Sequence, residues 1–163
     1  MKRILGASLL VFAGVMGVLA LAPAAAAVSL PDPPGSVRGT VARYHFDSPD
    51  YKIDSKDQTD VFLRQIVLLP GQSTGWHVHP GPELVVVTQG TSTLYILQAD
   101  GTCTAQTYHV GQAFFSQPGE VHMAKNNDPT IPLKSSVTIF GMPVGAPYRT
   151  AQPAPSNASC PAS

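Results

Sequence analysis

Short apolar segments separated by turn residues dominate the chain from residue 61 onward. Residues 61–69 are apolar and β-branched and end at Pro70-Gly71, and residues 91–98 alternate before the hairpin signal at residues 99–101. We expect strands at residues 36–46, 61–69, 74–79, 84–89, 91–98, 102–110, 113–116, 121–126 and 135–142. After the N-terminal segment no window keeps a 3.6-residue apolar period, so the pattern predicts an all-β sandwich or barrel.

The two ends of the chain differ from this pattern. A positive start is followed by an uncharged apolar run over residues 4–21 and by small residues up to Ala27. This layout predicts a signal peptide over residues 1–27 that is cleaved after Ala27. A retained membrane anchor is the alternative, since the run is about long enough to span a bilayer. Residues 28–35 are interpreted as a proline-rich linker, residues 36–150 as the folded domain and residues 151–163 as a Pro/Ala/Ser-rich tail that is ordered only near Cys160.

Length and charge narrow the classes of function. The chain has 163 residues, enough for one domain, and ten basic residues balance ten acidic ones. This balance gives no electrostatic reason to expect nucleic acid, or a membrane surface after cleavage, as a partner. Residues 47–60 hold five of the eight aspartates and are interpreted as a solvated surface loop; their spacing does not match a calcium-binding EF-hand.

The two cysteines, Cys103 and Cys160, both lie in the mature chain. An even number of cysteines in an exported protein favours one disulfide, which would hold the tail against the domain. Two unpaired thiols are the alternative.

Candidate chemistry is concentrated around His77, His79 and Glu83. Residues two apart in a strand point to the same face, so the two imidazoles would project into one space. Glu83 follows the strand-breaking residues 80–82 and is one of only two glutamates in the chain. These three side chains could converge on one transition metal.

Two segments of the sequence resemble the motifs of the cupin family. In the first, a glycine, His-x-His, a glutamate and a second glycine follow at the family's spacing: Gly71, His77, His79, Glu83 and Gly90. In the second, Gly111, Gly119, His122 and Asn126 match, while Gln117 stands at the proline position and Pro118 comes one residue later. That departure affects a turn and not a ligand, and we expect the fold to tolerate it.

The resemblance implies a small antiparallel barrel, or double-stranded β-helix, around one metal site. His77, His79, Glu83 and His122 would bind one divalent transition metal: Fe2+, Mn2+, Zn2+, Ni2+ or Cu2+.

The strand phase predicts what surrounds this site. Trp76 and Val78 should point away from the barrel interior, and Val85 and Val87 should share the inward face of Glu83. Asn126 is expected to hydrogen-bond backbone near the barrel mouth. The candidate pocket or core walls are Tyr95, Phe114, Phe115 and Phe140, and the two histidines outside the motifs, His45 and His109, are expected at the surface.

Glu120 lies two residues before His122. It is a candidate acid/base or a partner of the metal ligands, and a residue on the rim of the turn is the alternative.

Three classes of function remain open from the sequence. The first is an exported metal-dependent enzyme, with dioxygenase-like oxidoreductase chemistry on a small molecule as the leading reaction. The second is a non-catalytic module that binds a small ligand or metal outside the cytoplasm, and the third is a barrel that the metal mainly stabilises. We expect two copies to pair as a homodimer through sheet edges.

Overall fold

The computed structural model describes residues 32–43 and 45–162. The predicted signal peptide at residues 1–27 lies outside these residues, as does the first part of the predicted linker. The described residues form strands and no helix, and this part of the chain therefore contains no helix that could cross a membrane. The strands are β1 (Val37–Val41), β2 (His45–Ser48), β3 (Tyr51–Asp54), β4 (Thr59–Leu68), β5 (His77–Val78), β6 (Glu83–Gln89), β7 (Thr91–Leu97), β8 (Cys103–His109), β9 (Ala113–Ser116), β10 (His122–Lys125), β11 (Leu133–Pro143) and β12 (Thr150–Ala151).

Two five-stranded sheets make up the body of the fold. Their strand orders are β1-β4-β11-β6-β9 and β12-β5-β10-β7-β8, with antiparallel pairing throughout. The hydrophobic core contains side chains from both sheets, including Phe62 and Ile139 from the first and Leu94 from the second. This architecture confirms the predicted all-β, double-stranded β-helix fold.

The core follows from the alternation of buried and exposed residues along the strands. In β6, Glu83, Val85 and Val87 are buried, while the residues between them are more exposed, as the strand phase predicted. The turn from β6 to β7 requires a glycine, because Gly90 has a φ of 71° and an added Cβ would meet the Pro132 carbonyl oxygen at 2.8 Å. This tight turn leads the chain from β6 in the first sheet to β7 in the second.

The N-terminal part of the domain differs from the prediction. Instead of one strand over residues 36–46 and a loop over residues 47–60, the chain forms β1 and then a separate hairpin of β2 and β3. Residues 59–60 already belong to β4. The aspartates and lysines of this segment concealed the hairpin, because their polarity on both faces leaves no apolar alternation.

Asp60 joins three parts of this region. Its buried carboxylate accepts hydrogen bonds from Arg38 Nη1 at 3.0 Å, Thr40 Oγ1 at 2.7 Å and the Gly145 backbone N–H at 2.9 Å. These donors lie in β1 and in the loop between β11 and β12. The carboxylate therefore ties the edge strand to the end of the domain.

The C-terminal tail packs against the second sheet. The Gln152 N–H donates to the Trp76 carbonyl at 2.9 Å, and Trp76 Nε1 donates to the Pro161 carbonyl at 3.1 Å. Cys103 and Cys160 form a disulfide, as predicted. Trp76 points away from the metal-ligand face as expected, but it is only 3% exposed because the tail covers it in a second cluster with Met123 and Cys160.

Candidate metal centre

Both sheets contribute to the candidate metal centre. The pairing of β5 with β10 places His77 directly opposite His122. His79 follows one residue after β5, and Glu83 begins β6 in the other sheet, where it pairs with Ile139 and Ser116. All four side chains are buried, so the centre lies between the sheets.

The three imidazoles are close together. His77, His79 and His122 each offer one nitrogen within 4.8 Å of the others, an arrangement that could hold a metal ion. His77 Nε2 lies 3.1 Å from His79 Nε2. The Glu83 carboxylate is adjacent, with Oε1 at 3.2 Å from His79 Nε2 and Oε2 at 3.4 Å from His122 Nε2.

The opposite nitrogen of each ring contacts a backbone carbonyl. Nδ1 lies 2.7 Å from the Gly75 oxygen in His77, 2.7 Å from the Tyr148 oxygen in His79 and 3.1 Å from the Glu120 oxygen in His122. A carbonyl oxygen can only accept, so each Nδ1 carries the proton. In the neutral ring the Nε2 atom then has a free lone pair that points into the centre.

This donor set fits a metal cation. His122 Nε2 is buried and has no hydrogen-bond partner among the described residues, and the facing Nε2 atoms of His77 and His79 are both acceptors in this tautomer. A proton can relieve one such contact at a time, whereas a divalent cation would satisfy all of them. Imidazole nitrogen with a carboxylate suits Fe2+, Mn2+, Zn2+, Ni2+ or Cu2+, so the residues present do not select one of these metals.

The electrostatic environment keeps the site in the form that a cation needs. Burial lowers the pKa of His77 well below its usual value, and the neighbouring rings of His122 and His79 lower it further. Burial alone would raise the pKa of Glu83, but its interactions with the His122 and His79 rings, which favour the carboxylate when a proton is shared between ring and carboxylate, hold that pKa below its usual range. The site thus combines a neutral imidazole with an anionic carboxylate.

Glu120 lies behind this centre. Its Oε1 is 3.8 Å from His122 Nδ1, the nitrogen that faces away from the other ligands. Burial raises the pKa of its carboxyl, and the His122 ring offsets part of that rise. Glu120 does not line the cavity in front of the imidazoles, so its position favours a role behind His122 over direct contact with a substrate.

The second-motif residues have the expected structural roles. Asn126 is fully buried and donates from Nδ2 to the carbonyls of Leu68 at 3.0 Å and Ile131 at 2.9 Å. The departure at Gln117 is tolerated: the Glu120 N–H donates to the Gln117 carbonyl, and the Gly119 N–H donates to the His79 carbonyl at 2.9 Å. The turn therefore connects the two histidine segments.

The four candidate wall aromatics are distributed differently from the prediction. Phe114 is buried in the core and lines a small space beside His122 and Glu83. Phe115 is 51% exposed and meets Phe140 edge-on at 6.3 Å between ring centroids, while Tyr95 packs on the outer cluster around Trp76. Phe114 and Phe115 face opposite sides because they are neighbours in a strand.

A cavity of about 180 Å³ leads to the imidazoles and contains three residues that sequence reasoning missed. These are Arg64, Tyr148 and Arg149. Arg64 did leave a signal, because it shares the inward phase of Phe62 and Ile66 along β4. Tyr148 and Arg149 lie outside both motifs, and no periodicity marks them.

Comparisons with known proteins bear on the family of this domain. The family model described as a cupin domain matches residues 64–139. A comparison with curated proteins found no match. The family-model match supports a small cupin domain, as the two histidine segments predicted.

Solved structures of similar fold include three of different kinds. The alignment with an oxalate oxidase covers 57% of this chain and 46% of the oxidase chain, at 22% identity and a TM-score of 0.49. The alignment with an uncharacterized conserved protein with a double-stranded β-helix domain from Klebsiella pneumoniae subsp. pneumoniae covers 76% of this chain and 90% of that protein, at 22% identity and a TM-score of 0.43. The alignment with a cupin-like protein from Thermotoga maritima covers 50% of this chain and 56% of that protein, at 25% identity and a TM-score of 0.38. The chain spans less than half of the oxidase, and none of these likenesses informs on activity.

Proposed function

We propose that this protein is a metal-dependent enzyme that acts on a small molecule, with dioxygenase-like oxidoreductase chemistry as the leading reaction. One observation carries the proposal: three buried imidazoles turn their Nε2 atoms toward one another and toward the Glu83 carboxylate. His77, His79, Glu83 and His122 would hold one divalent metal. When bound, such a metal supplies Lewis acidity and, where it is redox-active, electrons for oxygen chemistry.

The residues around the centre support a reaction on a small substrate. Apolar side chains of Ile66, Val137 and Ile139 line the cavity and limit the access of water. A cavity of about 180 Å³ is smaller than the roughly 300 Å³ at the low end of drug-sized pockets. The substrate would therefore have only a few non-hydrogen atoms.

Elemental analysis of the purified protein, followed by oxygen uptake, tests this function. We expect about one divalent metal per chain, and uptake by the iron(II)-loaded protein with a member of a panel of catechols, thiols and small carboxylic acids. His77→Ala should lose the metal, whereas His109→Ala, which removes an exposed histidine, should keep it.

The possible outcomes separate the three classes of function. A full metal complement without turnover on any substrate would favour the binding module. Loss of metal from His77→Ala without a change in melting temperature would exclude a mainly structural metal. Wild-type protein that binds no divalent metal would overturn the proposal.

We also propose that the protein is exported and that its predicted signal peptide is cleaved after Ala27. The Cys103–Cys160 disulfide supports this, because such bonds persist mainly in oxidising compartments. Mass analysis of the mature N-terminus after expression with the full leader would test the cleavage site.

A homodimer remains a prediction. The edge strands of the first five-stranded sheet are β1 and β9, and those of the second are β12 and β8. Open strand edges can pair between chains. Light scattering of the purified protein should give twice the mass of one mature chain if two copies pair.

A further inference from the structure

Two arginines face the metal centre from the same cavity. Arg64 lies in β4 and Arg149 just before β12, and both line the space in front of His77 and His79. Their guanidinium carbons lie 5.8 and 5.5 Å from the centroid of one ring, that of Tyr148. Tyr148 is buried and its carbonyl holds His79 in place, so the two cations are positioned relative to the metal ligands.

Neither guanidinium is paired with a carboxylate in the part of the chain that the structure describes. Arg64 Nη1 donates to Tyr148 Oη at 3.3 Å, and Arg149 Nη1 donates to the Thr74 carbonyl at 2.9 Å. The Nε atoms of both residues are buried without a hydrogen-bond partner among the described residues. A guanidinium has five N–H donors, and each of these two side chains forms one hydrogen bond to a described residue.

Arg38 provides a contrast, because it has two acidic partners. It forms ion pairs with Asp32 at 2.7 Å and with Asp60 at 3.0 Å. Arg64 and Arg149 form no such pair with a described acidic residue, although holding two like charges around one ring costs free energy. An anionic ligand would supply the missing counter-charge.

The cavity also has the charge and size for a small anion. Its one acidic lining residue is Glu83, so the two guanidinium groups outweigh the carboxylate even before a divalent metal is added. The planar guanidinium fork matches a carboxylate, which can accept two parallel N–H bonds. A cavity of about 180 Å³ lies below the roughly 300 Å³ at the low end of drug-sized pockets, which favours a small ligand.

We propose that Arg64 and Arg149 form a carboxylate-binding subsite, and that the substrate is a small carboxylic acid whose anionic group these arginines hold beside the metal. This inference rests on the proposed function and names its substrate class. The arginines act by binding and orienting the substrate, and burial in the cavity strengthens their interaction with its negative charge.

Titration calorimetry on zinc-loaded protein tests the subsite, because zinc is redox-inert and binding can be measured without turnover. The probes are acetate and malonate, with acetamide as a neutral analogue of acetate. We expect the two carboxylates to bind and acetamide to bind at least tenfold more weakly. R64Q and R149Q should each weaken carboxylate binding about tenfold or more, since each removes charge-assisted hydrogen bonds.

R43Q is the matched control, because Arg43 is an exposed arginine that lines no part of the cavity. It should bind acetate and malonate like the wild type. Thermal melts establish that each variant is folded, and R149Q decides the matter if R64Q does not fold. Binding of carboxylates no tighter than of acetamide, or equal binding by the wild type, R64Q and R149Q, would overturn the subsite.

The zinc content of each sample separates this inference from the proposed function. Wild-type protein that retains no zinc contradicts the metal site itself. Protein that retains zinc but binds carboxylates independently of both arginines contradicts the subsite and leaves the metal site standing.

Discussion

Each imidazole at the centre uses its two nitrogens for different tasks. The Nδ1 atoms of His77, His79 and His122 donate to backbone carbonyls, and the Nε2 atoms converge near Glu83. The ligand spacing could be predicted from the two motifs because strand phase decides which side chains share a face. The carbonyl partners could not, because they depend on where the chain passes at residues 75, 120 and 148.

The two glutamates give a direct test at this scale. Glu83→Gln should weaken metal binding by at least the roughly 10- to 100-fold seen for lost supporting groups, because it removes a negative charge beside the imidazoles. Competition with a metal chelator measures the affinity. Glu120→Gln should have a smaller effect, since the Glu120 backbone oxygen, which holds His122, is unchanged. Equal losses in both variants would contradict the different positions assigned to them.

At the scale of elements, the C-terminal tail packs against the segment that begins β5. The tail covers Trp76, which directly precedes β5, while His77, the first residue of β5, lies at the candidate metal centre. The sequence predicted the direction of Trp76 but not its burial. A proline-rich segment without periodicity carries no signal of what it will pack against.

Removing residues 152–163 should expose Trp76. Because this is the only tryptophan of the chain, its fluorescence emission should shift to the red and become accessible to iodide quenching. The loss should include the hydrogen bond from Trp76 Nε1 to the Pro161 carbonyl. A truncated protein with unchanged emission would show that the tail does not cover this side chain in solution.

Asp60, which links β1 to the loop after β11, should make the folding stability depend on pH. Its pKa lies below the usual 3.8 because the Gly145 N–H, Thr40 and Arg38 bond to the carboxylate, against the opposing effect of burial. A lowered pKa stabilises the folded state above the unfolded value, and this stabilisation is lost as the pH falls through the folded pKa. Asp60→Asn should therefore cost about 2–3 kcal/mol at pH 7, and the difference from wild type should shrink below about pH 4.

Urea unfolding between pH 2.5 and 7 measures this difference. Asp57→Asn is the control, because Asp57 is exposed, and it should change the free energy of unfolding by less than about 0.5 kcal/mol. A constant difference between Asp60→Asn and wild type across the whole pH range would contradict an ionised, hydrogen-bonded Asp60.

At the scale of the whole molecule, one disulfide links β8 covalently to the C-terminal tail. Cys103 and Cys160 are 57 positions apart, and in the chain-entropy model a loop of this size stabilises the fold by about 4 kcal/mol. Cys103→Ser with Cys160→Ser should therefore lower the melting temperature substantially. Calorimetry of the variant and of wild type with and without reductant measures it; a melting temperature unaffected by reductant would contradict this contribution.

The all-β fold could be predicted from the sequence, whereas the β2–β3 hairpin and the roles of residues 148 and 149 could not. The alternation in β6 and the paired histidine segments predicted the two sheets and the position of the candidate metal ligands between them. The β2–β3 hairpin was missed although its contacts are local, because its polar residues leave no apolar alternation. The residues at 148 and 149 were missed because their roles come from long-range contacts, which neither periodicity nor spacing along the chain encodes.

The tethering of the three imidazoles to carbonyl oxygens has a consequence for how the protein can change. A side-chain partner can be lost by one substitution, but no substitution removes a peptide oxygen. The tautomer and aim of His77, His79 and His122 are therefore inherited with the path of the backbone. The lining around them, Arg64 and Arg149 included, can be exchanged residue by residue, so new substrates can be explored while the ligands keep their orientation.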